Sequence, residues 1–316
     1  MVIKVLDRAS MGKDISFDCL KKLGETQIYD STDKSEIDDR VSDADVLVIN
    51  KIKITDKVMN KAKNLKLVCV FATGYDNVDI TEARKRNIAV CNVPAYSTDS
   101  VTLFTMSTLL YLITHLGEYR NHVASGKYSE EGAANRLIPP YNELKGKVFG
   151  IIGFGNIGRS VAKVAEAFGA EIIVNKRTPI DDYECVDIDT LCKRADIISI
   201  HCPLNESTRG LISRERIELM KPSVVIVNEA RGAVVDESAV AEAVLDGRIA
   251  GFGCDVYSTE PFEKNHPYAK IASLDNVCLT PHAAWGAYEA RVRCLDVICN
   301  NIKSFFNGET LNRVDI

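Results

Sequence analysis

The string Gly153-Phe154-Gly155-Asn156-Ile157-Gly158 sits between the apolar run VFGII and the amphipathic stretch RSVAKVAEAFGA, and a second apolar run, EIIV, follows. Three glycines at this spacing are common by chance. In a strand-turn-helix-strand setting they form a cradle for a dinucleotide pyrophosphate. Each glycine then serves a separate purpose, in that Gly153 makes the tight turn, Gly155 lets the backbone approach the phosphates, and Gly158 allows close helix-strand contact. Backbone N–H groups at the helix start, reinforced by the helix dipole, face the anion; Asn156 and Ile157 belong to that first turn.

About twenty residues further on, a dinucleotide unit usually carries an acid that accepts from the ribose hydroxyls. Here Asn175, Lys176, Arg177 and Thr178 occupy that place. Two cations and two uncharged polar groups suit a 2'-phosphate, since a guanidinium can fork onto it and an ammonium adds charge. NADP is therefore expected over NAD. The alternative is a solvated basic loop, with Asp181 or Asp182 supplying the acid in a shifted register.

Three further groups follow later apolar runs: Arg231 in NEARGAVVDE, Glu260 in CDVYSTEP and His282 in LTPHAAW. Ligands of open α/β sheets bind beyond the carboxyl ends of the strands. A guanidinium, a carboxylate and an imidazole at three such ends form a candidate reactive cluster.

The elements that must hold these groups show in the alternation of short apolar runs with amphipathic stretches, the pattern of parallel strands and crossover helices. VIKVLD, TQIYD, DVLVIN, LKLVCVFA and IAVCNV predict one five-stranded sheet, with helices at 56–63 and 79–86. Val101 to Leu116 then repeats apolar residues at helical spacing with almost no charge, predicting one long buried helix between domains, against another subunit, or in a core. YRNHVASGKYSEEGAANRLIPPYNELKGK is read as a polar connector. VFGIIG, EIIVNK, DIISIHCP, SVVIVNEA, GFGCDV and VCLTPH predict a second, six-stranded sheet, and EARVRCLDVICNNIKSFFNG a final helix. The fold class expected is α/β with two doubly wound parallel-sheet domains: a Rossmann dinucleotide-binding domain over 99–285, and a flavodoxin-like substrate domain from 1–98 plus 286–316, with a cleft between them.

Composition narrows the partners. A chain of 316 residues, 46% hydrophobic, has material for two ordinary cores. Its net charge of -5 and pI near 5.7 disfavour nucleic acid and point to a small molecule. Ten cysteines lie scattered, mostly inside apolar runs and without a CxxC pair, so reduced thiols are expected. No apolar run is long enough to span a bilayer, and the N-terminus begins almost directly on a strand. The expectation is a cytoplasmic protein with no membrane partner and no metal.

Taken together, ATGYDNVD, GFGNIG, HCPLNESTRGLI, MKPSVVIVNEARGAVVDESAV, DVYSTEP and TPHAAW, in this order over nearly the whole chain, resemble the D-isomer specific 2-hydroxyacid dehydrogenases. Within that family INK, AYSTDSV and PHAAW with Trp285 look most like the glycerate dehydrogenase or hydroxypyruvate reductase branch. The resemblance implies reduction of a small 2-oxo acid, hydroxypyruvate or glyoxylate, by NADPH or NADH. Such a reaction needs the carboxylate held, the carbonyl polarised and a proton delivered. By resemblance Arg231 binds carboxylate and carbonyl, His282 is the proton donor, and Glu260 fixes its ring. Asp255 matches the acid near the nicotinamide carboxamide. Thr105, Cys202, Pro203, Glu229, Ala230 and Ala284 join the cofactor residues on the same ground. Thr73, Gly74 and Tyr75 match the family's substrate turn, which also serves as a plain strand-to-helix turn. Lys51 is placed to reach a substrate hydroxyl, and Trp285 to wall the pocket or pack in a core. A homodimer is the family habit.

Two departures stand out. Val101-Thr102-Leu103 replaces a VAE-like string, and Glu229 stands where a small or polar residue is usual, a negative charge at the cofactor if its side chain points there. A dehydrogenase for another 2-oxo acid, and a cofactor-sensing protein without catalysis, are the alternatives; retention of Arg231, Glu260 and His282 together speaks against the second.

Overall fold

The computed structural model describes residues 1–316 and divides into two compact units, Met1–Ser97 with Gly286–Ile316, and Thr98–Trp285. In the first, β1 (Val2–Val5), β2 (Glu25–Ile28), β3 (Val46–Ile49), β4 (Leu67–Val70) and β5 (Ala89–Cys91) form a parallel sheet in the order β2-β1-β3-β4-β5. This is the flavodoxin-like order. β3 and β4 are buried at every residue, which is why both read as continuous apolar runs. The chain returns at its end: the helix Tyr288–Phe306 lies beside β4, and Asp315 accepts from Val90 N at 2.8 Å. Buried Asn301 donates to Asn92 O at 2.9 Å.

The second unit contains β6 (Val148–Ile152), β7 (Glu171–Asn175), β8 (Glu184–Cys185), β9 (Ile197–Ile200), β10 (Val225–Asn228), β11 (Gly251–Cys254) and β12 (Val277–Leu279), all parallel. Their order, β8-β7-β6-β9-β10-β11-β12, reverses direction between β6 and β9. That switch point is where doubly wound sheets bind dinucleotides.

The two sheets agree with the fold class read from the sequence, and three local expectations need correction. A seventh strand, the two-residue β8, escaped because EC carries no apolar run. The helix expected over 101–116 runs Thr98–Ile113 and stops where His115 takes a left-handed φ of 52°. The polar stretch from Tyr119 read as a connector carries most of the helix Leu116–Ala124 and all of Lys127–Glu131, whose polar composition hid them. No single helix is long and apolar enough to cross a membrane.

Candidate active site

Gly153 directly follows β6 with φ 89°, a region that favours glycine, and its N–H donates to Asn175 O at 2.9 Å. A Cβ here would lie 2.5 Å from Cys202 N, so the turns after β6 and β9 can touch only through glycine. A Cβ on Gly158 would meet Gly153 O at 2.3 Å, confirming the tight helix-strand contact. Gly155 differs. Its φ of -85° suits any residue and a Cβ would meet nothing within 4 Å, so neither backbone nor packing asks for glycine. The helix Asn156–Ala167 starts on it with no side-chain cap, leaving its first N–H groups open toward that space. The cradle fits a pyrophosphate.

Beyond β7 the four residues separate. Asn175 donates its amide to Val186 O at 2.9 Å, so this member of the expected phosphate set is turned to its own chain. Half-buried Lys176 and exposed Arg177 and Thr178 remain directly after the strand end, while Asp181 and Asp182 lie further along the loop. Cys202 is buried and Pro203 exposed after β9. His201 between strand and cysteine shares a proton with Ser199 Oγ at 2.7 Å, and burial pushes its pKa down to about 3, so the ring is neutral.

Arg231, Glu260 and His282 all lie in the second unit. Nδ1 of His282 lies 2.7 Å from Glu260 Oε2, and the other carboxylate oxygen accepts from Tyr257 N at 3.1 Å. Both side chains are about a quarter exposed, at 26% and 29%, and so open to solvent. Behind them Asp255, 1% exposed, accepts from Ala283 N and Ala284 N at 2.8 Å and from Thr280 Oγ1 at 2.6 Å. These bonds hold His282 in its left-handed backbone conformation, φ 53°. Arg231 follows β10 in a loop pinned by fully buried Asn228, which donates to Arg231 O at 3.0 Å and accepts from Ala230 N at 3.1 Å. A Cβ on the next residue, Gly232, would fall 2.0 Å from Tyr257 C. That glycine packs the arginine loop against the loop leading to Glu260. Glu237 steadies the same loop by accepting from Ser258 N at 2.8 Å and pairing with His266 Nε2 at 3.0 Å.

Other expected residues fall deeper. Thr105 is fully buried and its hydroxyl donates to Val101 O at 2.7 Å. Ala284 accepts from Ser100 Oγ at 2.6 Å, and Trp285 is half-buried one residue later. Glu229 does not present an exposed charge: both carboxyl oxygens are buried without a well-formed hydrogen bond. Burial first, and Asp255 second, push its carboxyl up to about 9, against a smaller pull from the Thr108 side chain.

The first unit gathers the other expected residues on adjacent loops. Asp7, not singled out from the sequence, accepts from Asn50 N at 2.9 Å and Lys51 N at 2.6 Å and so fixes the loop bearing Lys51. Burial raises the pKa of Asp7 and these backbone bonds oppose it. Asn77 donates to Asn50 O at 3.0 Å and Ile52 O at 2.8 Å, tying that loop to the turn of Thr73, Gly74 and exposed Tyr75. Thr73 Oγ1 donates to Val93 O at 2.8 Å, a structural engagement of the turn. An acid closing an apolar run, as in VLD, was the available signal for Asp7.

Residues 106–284 match the family described as D-isomer specific 2-hydroxyacid dehydrogenase, NAD binding domain. The chain belongs to the D-isomer specific 2-hydroxyacid dehydrogenases. The dehydrogenase is 35% identical to the hydroxypyruvate reductase of Blautia hydrogenotrophica, over 100% of each chain. It resembles the NADPH-dependent glyoxylate/hydroxypyruvate reductase of Sinorhizobium meliloti, solved with NADP and malonate, at 28% identity and TM-score 0.85, covering 99% of this chain and 96% of that one. The D-lactate dehydrogenase of Aquifex aeolicus, solved with NAD and lactic acid, aligns at 29% identity and TM-score 0.87, covering 100% and 99%. The dehydrogenase is thus an oxidoreductase of the NAD(P)-using kind.

Glu229 gives a stability test. Its folded-state pKa lies above the unfolded one, so the folded dehydrogenase retains a proton that the unfolded chain releases between the ordinary carboxylate range and about 9. Stability from this group is complete at acid pH and falls as pH rises through that window. Glu229→Gln should remove a slope of about 1.4 kcal/mol per pH unit, a difference on the order of 3 kcal/mol accumulated by pH 7. Urea unfolding of both proteins from pH 5 to 8 reads it; parallel stability curves would contradict a neutral buried Glu229.

Proposed function

We propose that this dehydrogenase reduces hydroxypyruvate or glyoxylate to the D-2-hydroxy acid, with NADPH as the preferred donor. The observation that carries the reading is the 2.7 Å pair of His282 Nδ1 and Glu260, packed through Gly232 against the loop of Arg231. A carboxylate accepting from Nδ1 holds the ring so that Nε2 is the end that gives or takes a proton. In reduction Nε2 delivers its proton to the carbonyl oxygen as that oxygen gains charge, and takes it back in oxidation. The guanidinium of Arg231 holds the substrate carboxylate and polarises the carbonyl. The nicotinamide, when bound, supplies the hydride to the carbonyl carbon. Lys51, Thr73, Gly74, Tyr75 and Trp285 are the groups we assign to substrate size and orientation, with the turn at 73–75 offering backbone N–H groups. The relatives named hydroxypyruvate reductase and glyoxylate reductase support this substrate class. His282→Ala should lower kcat on hydroxypyruvate and glyoxylate about 100- to 10,000-fold while NADPH still binds by fluorescence titration; undiminished turnover at neutral pH would refute the role.

The NADPH preference rests on Lys176, Arg177 and Thr178 following the end of β7, where a ribose-binding acid would repel a 2'-phosphate. Arg177 forks onto the phosphate and Lys176 adds charge. Replacing both by alanine should lower the ratio of kcat/KM for NADPH to that for NADH about 10- to 100-fold. An unchanged ratio would remove the ground for NADP.

We also propose a homodimer. Leu103 (68% exposed), Leu137 (75%) and Ile138 (71%) stand in water together with Leu116, Val123 and Tyr141, all within the segment from the long helix to the start of β6. So many exposed apolar side chains in one segment support an association surface. Sedimentation equilibrium should give twice the 34.9 kDa chain mass, and Leu137→Asp with Ile138→Asp should weaken association about 100-fold or more at unchanged circular dichroism. A monomeric wild type would sink the proposal.

A further inference from the structure

Two of the ten cysteines stand apart from the others. The Sγ atoms of Cys19, on the short helix Asp18–Lys21, and Cys299, on the helix Tyr288–Phe306, lie 2.6 Å apart. That is well inside the van der Waals contact of two sulfurs and close to the covalent bond length of about 2.05 Å. The fold holds them there. Arg291 of the second helix makes a two-pronged pair with Asp14 at 2.6 and 2.8 Å and donates to Met11 O at 2.8 Å, clamping the segment that leads into Cys19.

We propose that Cys19 and Cys299 are a redox-active pair that closes to an intramolecular disulfide, fastening the N-terminal segment of the first unit to its C-terminal helix. The two thiols play different parts. Cys19 is partly exposed and reachable, while Cys299 is 4% exposed and can act only on a neighbour. The hydrogen bond from Cys299 lowers the Cys19 thiol below its ordinary range, with burial and Asp296 opposing, and the same contact raises Cys299. Cys19 is the attacking thiolate and Cys299 the resolving thiol. With a small-molecule disulfide such as glutathione disulfide as oxidant, the Cys19 sulfur bonds to one sulfur and releases the other as thiolate. Cys299 then loses its proton and attacks Cys19, releasing the second thiolate. Two protein thiols are oxidised and one disulfide is reduced to two thiols.

Another neighbouring pair shows why proximity alone is insufficient. Cys69 and Cys91 face each other in register on β4 and β5, but both are buried and burial raises both thiols. No thiolate forms and no oxidant reaches them. They are expected to stay reduced.

The test uses the full-length protein, reduced, desalted and equilibrated with excess glutathione disulfide. Non-reducing tryptic mapping should show the peptide spanning 14–21 joined to that spanning 294–303, with fragmentation placing the bridge on Cys299 and not Cys294. Two thiols should be lost per chain, and the melting midpoint should rise by several degrees, reversibly with dithiothreitol, because the bridge joins residues 280 apart. Cys299→Ser should leave Cys19 as the mixed disulfide with glutathione. The proposal is overturned if wild-type Cys19 stops at the mixed disulfide, stays reduced, or appears only in bridges between chains.

Discussion

A buried acid with three donors holds His282 in place. Asp255 receives Thr280, Ala283 and Ala284, and in doing so forces the turn in which His282 adopts a left-handed backbone. That conformation costs a non-glycine residue on the order of 1–2 kcal/mol. It persists because the alternative leaves two backbone N–H groups and a buried acid without partners, which costs more. The direction of the imidazole, and with it the 2.7 Å contact to Glu260, follows from this turn. Everything else near the site is built around it: Gly232 lets the Arg231 loop press on Tyr257, and Glu237 with His266 keeps the Glu260 loop from swinging away.

The first unit solves its own positioning problem in the same way. Asp7, at the end of β1, gathers the N–H groups of Asn50, Lys51 and Ile52 after β3, and Asn77 binds that loop to the turn at 73–75. Loops carrying function are the least constrained part of an α/β fold, since the sheet ends beneath them. An aspartate buried at a strand end turns such a loop into an extension of the sheet. The backbone hydrogen bonds offset part of the desolvation cost, and burial still raises the Asp7 carboxyl.

Electrostatics around β10 and β11 then divides two neighbouring acids. Asp255 has three donors, whereas Glu229 has no well-formed hydrogen bond and is pushed up to about 9 by burial and by Asp255. A low-dielectric site with two carboxyls accommodates one charge readily and a second at considerable cost. The neutral acid stays beside Thr108 on the helix Thr98–Ile113.

Apolar periodicity by itself determined the two sheets and nearly all of their strands, because buried parallel strands must be continuous apolar runs and amphipathic helices must alternate with them. It placed the glycine cradle, and it put Arg231, Glu260 and His282 after strand ends, since those depend on residue type and local order along the chain. Features without such a local signature were invisible: the two-residue β8, the polar helices at 116–131, and the break at His115. Tertiary structure alone decided that Glu229 holds its proton and which loops touch. Asn175 turns to Val186 and Glu229 faces inward because of what packs around them, and Cys19 meets Cys299 from the far end of the chain. Burial and contact depend on residues distant in sequence, and a single string of side chains does not encode those distances one position at a time.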